Sequence, residues 1–364
     1  MSEITVPGKI IFYGGYSVLE KGNISLSIAV VDEQNKGVTA KYEKGKRRII
    51  SPQFKIDITP SLENKVLIVY PYIVTEVYLK AKGKWKNDVK VKVTNSPIFG
   101  NKDEKTGLGS SAAATVSVVK ALFEANGLNS EENIDTIHKL SQFSYALFSQ
   151  KVGSGFDIAT SSFGKTITYH RYNPQEIVLP PTNNAELLKA IIQSVEKPWG
   201  WIKAETFAFP SKYNVLFFNI KGAKTSTIGS VKAVIQFKAK NPAKYAEIIN
   251  MQKEAEEKAI DALSKMNDTD IRKYTHEARD AHKLLQKETA SLVPDFDPIE
   301  PEPLTRIIDE SEKIAGVIAG RCPGAGGWDG LAFIVNKDFK DAKKIIEIGK
   351  KEGLKLEHIL LKVL

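Results

Sequence analysis

Apolar and polar positions follow two rhythms along these 364 residues. Residues 4–13, 24–31, 36–42 and 48–50 are rich in β-branched and aromatic side chains, and they predict strands. Over 66–79 the spacing changes to i, i+3, i+4, i+7 (Val66, Val69, Tyr70, Ile73, Val77), which predicts a helix. A strand is expected at 89–94, a turn-rich loop at 95–106, helix over 112–125 and most of 129–152, and a strand at 163–170. Beyond residue 172 an apolar strand is expected at 214–220, then helices at 226–238, 243–266 and 268–291. The last two are heavily charged, but Tyr245, Ile248 and Ile249 recur at helical spacing and mark a core-facing side. Four prolines from Pro294 to Pro303 forbid a helix there. A helix at 303–314, strands at 315–319 and 331–335, a helix at 338–352 and a strand at 355–361 complete the pattern. Strands and helices mix without strict alternation, so the class is α+β with layered sheets.

The length suggests two domains, with a division near residue 172 into 1–172 and 173–364. An apolar fraction of 42% suffices for real cores. The start, Met1-Ser2-Glu3-Ile4, does not resemble a signal peptide, and no apolar run approaches a membrane span. One cysteine, Cys322, excludes an internal disulfide, so a cytoplasmic location and no membrane partner are expected. The net charge is +9 and the isoelectric point about 9.2. The basic residues of 41–48, 80–92 and 337–351 are interleaved with acidic ones. They form no single stripe, so a solvated surface is expected and no nucleic-acid partner.

The candidate chemistry begins at Lys105-Thr106-Gly107-Leu108-Gly109-Ser110-Ser111-Ala112-Ala113-Ala114. Small residues crowd the predicted start of a helix, where backbone N–H groups lack partners and the helix dipole is positive. Such a start cradles phosphate, although tight packing alone would use the same residues. It lacks the Gly-Lys-Ser/Thr ending of the common P-loop. Three further glycine-marked segments accompany it. They are Pro7-Gly8-Lys9-Ile10 running to Gly14-Gly15-Tyr16-Ser17-Val18-Leu19-Glu20, then Lys151-Val152-Gly153-Ser154-Gly155-Phe156-Asp157, and finally Gly324-Ala325-Gly326-Gly327-Trp328-Asp329-Gly330.

Together these segments, with Ile299-Glu300-Pro301-Glu302, resemble the GHMP kinase family in order and spacing from residue 7 to residue 330. Within it they are most similar to the phosphomevalonate kinases. The resemblance implies an N-terminal ribosomal-protein-like β-α domain and a C-terminal ferredoxin-like domain, with ATP and acceptor meeting in the cleft between them. It implies transfer of a phosphoryl group from MgATP to (R)-5-phosphomevalonate, with ATP and Mg²⁺ required. By the same resemblance Lys105, Gly107, Leu108, Gly109, Ser110, Ser111 and Ala112 are expected to bind ATP, and the Ser111 hydroxyl to reach the metal. Asp157 and Lys9 take the catalytic positions, Asp157 orienting Lys9 and the acceptor. Lys9, Tyr16, Ser17, Lys151, Ser154, Gly155, Ala325 and Gly326 are the expected acceptor contacts. Mevalonate kinases carry a metal-binding glutamate eleven residues before the aspartate. Here that position is Ala146, which counts against mevalonate. A kinase for mevalonate or another small alcohol, and a ligand sensor on the same fold, are the competing readings; retention of Lys9 and Asp157 speaks against the sensor. The oligomeric state is not legible.

Physical chemistry favours a phosphate acceptor. A phosphate monoester is already largely dianionic at neutral pH, its second pKa being about 6, so its oxygen needs little help from a base. The site must then supply cations, and Lys9, Lys105 and Lys151 lie inside the motifs, with Arg321 close in sequence. The 221–227 segment, Lys221-Gly222-Ala223-Lys224-Thr225-Ser226-Thr227, is a looser candidate for a second anion clamp. Plainer roles compete elsewhere: a helix cap for Asp157, a structural turn for Asp329, packing for Trp328, Trp199 and Cys322. The five histidines show no metal-ligand spacing.

Overall fold

The computed structural model describes residues 2–100, 106–180, 186–222, 227–293 and 296–364, with the side chains of residues 227 and 228 left aside. In chain order the strands are β1 (Ser2–Val6), β2 (Gly8–Tyr13), β3 (Ile24–Asp32), β4 (Val38–Lys44), β5 (Arg48–Ser51), β6 (Ile56–Ile58), β7 (Val89–Asn95), β8 (Ile167–His170), β9 (Lys203–Thr206), β10 (Tyr213–Ile220), β11 (Val317–Arg321), β12 (Gly330–Asn336), β13 (Leu356–Ile359) and β14 (Leu361–Val363). The α-helices are α1 (Val69–Ala81), α2 (Ser110–Ala125), α3 (Ile134–Ser149), α4 (Phe156–Phe163), α5 (Leu187–Val195), α6 (Thr227–Lys240), α7 (Pro242–Ser264), α8 (Asp268–Ala290), α9 (Glu302–Ser311) and α10 (Ala342–Lys351).

The chain forms two compact units. The first comprises Met1–Lys9, Ala29–Ala204 and Leu364, and the second Ile10–Ile28 and Glu205–Val363. Strands β2 and β3, which pair with each other, each run from one unit into the other along the chain.

The first unit is built on a sheet of order β1-β4-β7-β5-β6. The pair β5–β7 is parallel and the other pairs are antiparallel. Strand β7 alternates buried valines (Val89, Val91, Val93) with partly exposed Lys90, Lys92 and Thr94, the period of two expected of a half-buried strand. Helix α2 packs on β1, β4 and β7, with α1, α3 and α4 around it. It is buried on almost every side, and its run Ala112-Ala113-Ala114 lets its neighbours approach closely. The sequence predicts one strand over 4–13, but Pro7 divides it. Proline has no N–H to give a ladder, and its carbonyl accepts from Ser161 Oγ at 2.9 Å.

In the second unit the sheet order is β11-β12-β10-β13, all antiparallel. Helices lie between β10 and β11 and between β12 and β13, so the chain runs β-α-β-β-α-β, the ferredoxin-like pattern. Leu304, Ile307 and Ile308 of α9 and Ile345 of α10 pack on Phe218, Leu331 and Phe333 of the sheet. Helices α7 and α8 pack along each other, and Asn267 caps α8 through Asp270 N–H. Each unit mixes sheet and helix, so the chain is α+β as its pattern predicts. Two helices escaped that reading. Helix α4 falls in the stretch between 152 and 163, where no element is predicted, and takes only Phe163 from the predicted strand 163–170, which shrinks to β8; α5 has no prediction at all.

Candidate active site

Strand β2 brings Lys9 to the phosphate cradle. The backbone N–H of Lys9 donates to Leu108 O at 2.8 Å, and its Nζ donates to Gly107 O at 3.1 Å. A Cβ on Gly8 would fall 2.3 Å from Leu108 O, so only glycine lets the strand and the loop meet. Gly109 is the N-cap of α2, at φ +80°, and no side chain caps the helix. The first helical bond runs from Ala113 N to Gly109 O. The N–H groups of Ser110, Ser111 and Ala112 precede it, and they stand at the positive end of the dipole. Gly107 and Ser111 are exposed, Gly109 and Ser110 half-buried, and Leu108 and Ala112 buried. Lys105 lies outside the described residues.

The loop before α4 is fixed by its carbonyls. Ser149 Oγ donates to Lys151 O, Arg171 to Gly153 O, Tyr169 OH to Ser154 O and Gln142 Nε2 to Gly155 O, at 3.1, 3.0, 2.9 and 2.7 Å. These bonds turn successive C=O groups into the first unit. They also carry the loop to α4, whose N-cap is Gly155 at φ +82°, again without a capping side chain. A Cβ there would lie 2.6 Å from the Tyr172 ring. Asp157 is therefore inside the first turn and is not the cap. Its Oδ1 accepts from Ile158 N–H at 2.9 Å, and its side chain is half-buried. Burial pushes the Tyr145 phenol up to about 12, and the charge of Asp157 adds to this. The Lys9 ammonium sits 5.5 Å from the centroid of the Phe156 ring, beside Asp157 in the chain. Lys151 is exposed and Ser154 half-buried. The arrangement can hold an anion against two uncapped helix starts and a lysine.

The expected contacts of the second unit are placed differently. Tyr16 is fully buried, and its hydroxyl donates to Ala325 O at 2.9 Å. Ser17 is also fully buried and donates to Glu256 Oε2 at 2.7 Å. Gly324 N–H donates to Ile11 O, and Gly327 N–H to Ile299 O at 2.7 Å. A Cβ on Gly326 would lie 2.0 Å from Ile299 O. Arg321, a candidate cation by its place in the sequence, is 1% exposed and pairs with Glu256 at 3.3 Å. Trp328 packs against the core of the second unit, Cys322 lies within that core, and burial pushes the Cys322 thiol well up. Trp199 is buried against Tyr172 and His138. Of the 221–227 segment, Lys221 pairs with Glu357 at 2.7 Å, and residues 223–226 lie outside the described residues.

Sequence reasoning missed Gln142, Tyr145, Tyr169, Arg171 and Tyr172. None belongs to a glycine motif, and the folding of α3 and β8 around the loop is what makes them relevant. Among the described residues no group of three or more His, Cys, Asp and Glu side chains could hold a metal ion, and no helix is long and apolar enough to cross a membrane. Ala146, where a metal-binding glutamate would stand in mevalonate kinases, is 2% exposed inside α3. The exposed Ser111 hydroxyl, beside the first-turn N–H groups, is an oxygen donor suited to Mg²⁺ carried in by a nucleotide.

Residues 70–165, which include the cradle and Asp157, match the model of the GHMP kinases N terminal domain. The chain is 29% identical over 262 residues to Phosphomevalonate kinase ERG8 of Gibberella zeae, covering 69% of this chain and 57% of that protein. The match thus takes in little more than half of the Gibberella protein's length. It is 27% identical to Phosphomevalonate kinase of Candida albicans, over 91% of this chain and 88% of the relative. Among solved structures, the phosphomevalonate kinase of Streptococcus pneumoniae, in complex with phosphomevalonate and AMPPNP, superposes with a TM-score of 0.78. That likeness covers 100% of both chains at 18% identity, and it concerns the fold. Residues 70–165 thus carry the likeness to the GHMP kinases, the fold is the one seen in the solved phosphomevalonate kinase, and the chain's sequence likeness runs to the phosphomevalonate kinases.

Proposed function

We propose that this protein is a phosphomevalonate kinase, transferring the γ-phosphoryl group of MgATP to (R)-5-phosphomevalonate and releasing ADP and (R)-5-diphosphomevalonate. The observation that carries this reading is the uncapped start of α2 at Gly109, joined to Lys9 through Gly107 and Leu108. The cradle takes the ATP phosphates on the N–H groups of residues 109–112, and Mg²⁺ arrives as part of the nucleotide, with Ser111 as its protein oxygen. Lys105 is proposed as a further ATP contact on its place in the motif alone.

The acceptor oxygen belongs to a phosphate that is already ionised, so the protein's task is to position it and neutralise charge. Lys9 spreads positive charge over the transferring group. Asp157 orients Lys9 and the acceptor, and abstraction of a proton is not required of it. Lys151, Ser154, Gly155, Ala325 and Gly326 are proposed to contact the acceptor, whereas the hydroxyls of Tyr16 and Ser17, expected as contacts, are bonded to Ala325 O and Glu256 and act from behind. A cytoplasmic location belongs to the same proposal.

The test is ADP release with phosphomevalonate, mevalonate and diphosphomevalonate supplied separately. Turnover with phosphomevalonate alone is expected. Turnover with mevalonate alone overturns the reading, and ATP binding without turnover on any acceptor makes the protein a sensor.

A further inference from the structure

One end of the second unit holds a buried polar cluster that no glycine motif explains. Arg321 ends β11, one residue before the loop Cys322–Gly327. Its guanidinium lies 5.3 Å from the Tyr13 ring centroid and reaches Glu256 Oε1 through two nitrogens, at 3.3 Å each. It also donates to His282 Nδ1 at 3.2 Å. Burial and the neighbouring Arg321 hold the His282 pKa well below its usual value, so the ring is neutral and Nδ1 can accept. His282 in turn sets its ring edge-on to Tyr16, with centroids 5.9 Å apart.

These contacts close a circuit. From Arg321 the chain runs four residues to Ala325, whose carbonyl takes the Tyr16 hydroxyl. The Tyr16 ring meets His282, and His282 returns to Arg321. Glu256 adds a second arm by accepting from Ser17. The turn of Gly14–Ser17 and the loop of Gly324–Gly327 are thereby tied to the same charged pair. Their backbones touch as well, since a Cβ on Gly15 would lie 2.1 Å from Gly324 O. A buried ion pair is a costly way to gain stability, because desolvation offsets much of its attraction. Its use here fits a need for one fixed geometry, and that need lies in the loop.

We infer that Arg321 and Tyr16 are positioning residues, which fix the loop carrying Ala325 and Gly326 in the conformation that receives the acceptor. Tyr16 does this through its hydroxyl, which is spent on Ala325 O and not on the acceptor. This rests on the proposed kinase activity.

The experiment compares wild type with Tyr16→Phe, Arg321→Lys and the double variant. Phenylalanine removes one oxygen and leaves the ring, and lysine keeps the charge but loses the planar fork. Each single variant is expected to raise the KM for phosphomevalonate about tenfold and to leave the KM for ATP within about twofold. The double variant is expected to do little more than either alone, because both act through one loop. Equal rises in both KM values, or additive effects in the double variant, would overturn the inference. Amide hydrogen exchange gives a reading independent of turnover. Gly326 and Gly327 should exchange about tenfold faster in each variant, with residues 107–112 unchanged, and unchanged exchange at Gly326 and Gly327 would overturn the proposal. Should wild type show no phosphomevalonate-dependent ADP release, the functional reading falls, and the exchange measurement alone decides whether the circuit holds the loop. If Arg321→Lys does not fold, Tyr16→Phe carries both measurements.

Discussion

In the first unit, Gly107 is exposed and no atom of the described residues lies within 4 Å of where its Cβ would stand, whereas in the second a Cβ on Gly326 would run into Ile299 O. Both glycines sit at positive φ, +72° and +74°, in loops of similar composition. At the cradle, glycine leaves backbone N–H groups open to a ligand. At Gly326 it lets one backbone lie directly on another. A glycine-rich loop is therefore two different devices, and neighbours decide which.

The comparison can be broken by substitution. Asp157→Asn, beside the open kind of loop, should have the largest effect on chemistry. Turnover is expected to fall by about 10²- to 10³-fold through lost positioning, with ATP affinity by isothermal titration nearly unchanged; a collapse of ATP binding would make Asp157 structural. Gly326→Ala adds a clash to backbone strain, so a loss of about 3 kcal/mol or more is expected in chemical denaturation. A loss under 1 kcal/mol would mean that the loop is not close-packed in solution.

Next in size comes a pH effect at the brace behind Asp157. Burial lowers the His138 pKa to about 4 from 6.5, and its Nε2 lies 3.0 Å from Gln142 Nε2, whose amide holds Gly155 O. Between those values the unfolded chain binds the proton that the folded chain refuses. Stability therefore rises with pH through this window, and roughly 3 kcal/mol is lost as pH falls from about 6.5 to 4. Denaturation of wild type and His138→Gln at pH 7 and pH 4.5 checks this, since the variant should lose less on acidification. Smallest of the four is Gly107→Ala, which among the described residues meets no clash and carries the strain of a left-handed residue, about 1 kcal/mol. A larger loss would show that the cradle is packed after all, and the two loops would then be one kind.

Much of the architecture was legible because burial on one face imposes a period. Val89, Val91 and Val93 gave β7, and Tyr245, Ile248 and Ile249 gave the buried side of α7. The short α4 escaped because Gly155-Phe156-Asp157-Ile158-Ala159-Thr160 offers only two turns of pattern, and its start is set by Gln142 and Tyr172 from elsewhere in the chain. Lys9, Gly109 and the cradle could be read because the motif is local. Arg321 could not: next to a glycine loop it looks like a cation for a substrate, and only its contact with Glu256, 65 residues away, puts it in the core. Ser17 was obscured in the same way by Glu256.

The passage of β2 and β3 between the units has a consequence for synthesis on the ribosome. Residues 10–28 belong to the second unit, but the rest of that unit begins only at Glu205. At ~5–20 residues per second, this segment waits roughly 10–35 s for the rest of its unit. During that wait it carries Ile10, Ile11, Phe12, Tyr13 and Tyr16, all destined for burial. The nascent chain therefore carries apolar side chains of β2 and of the turn after it without their final cover while the first unit is being made, and a chaperone that binds apolar segments would find its target there.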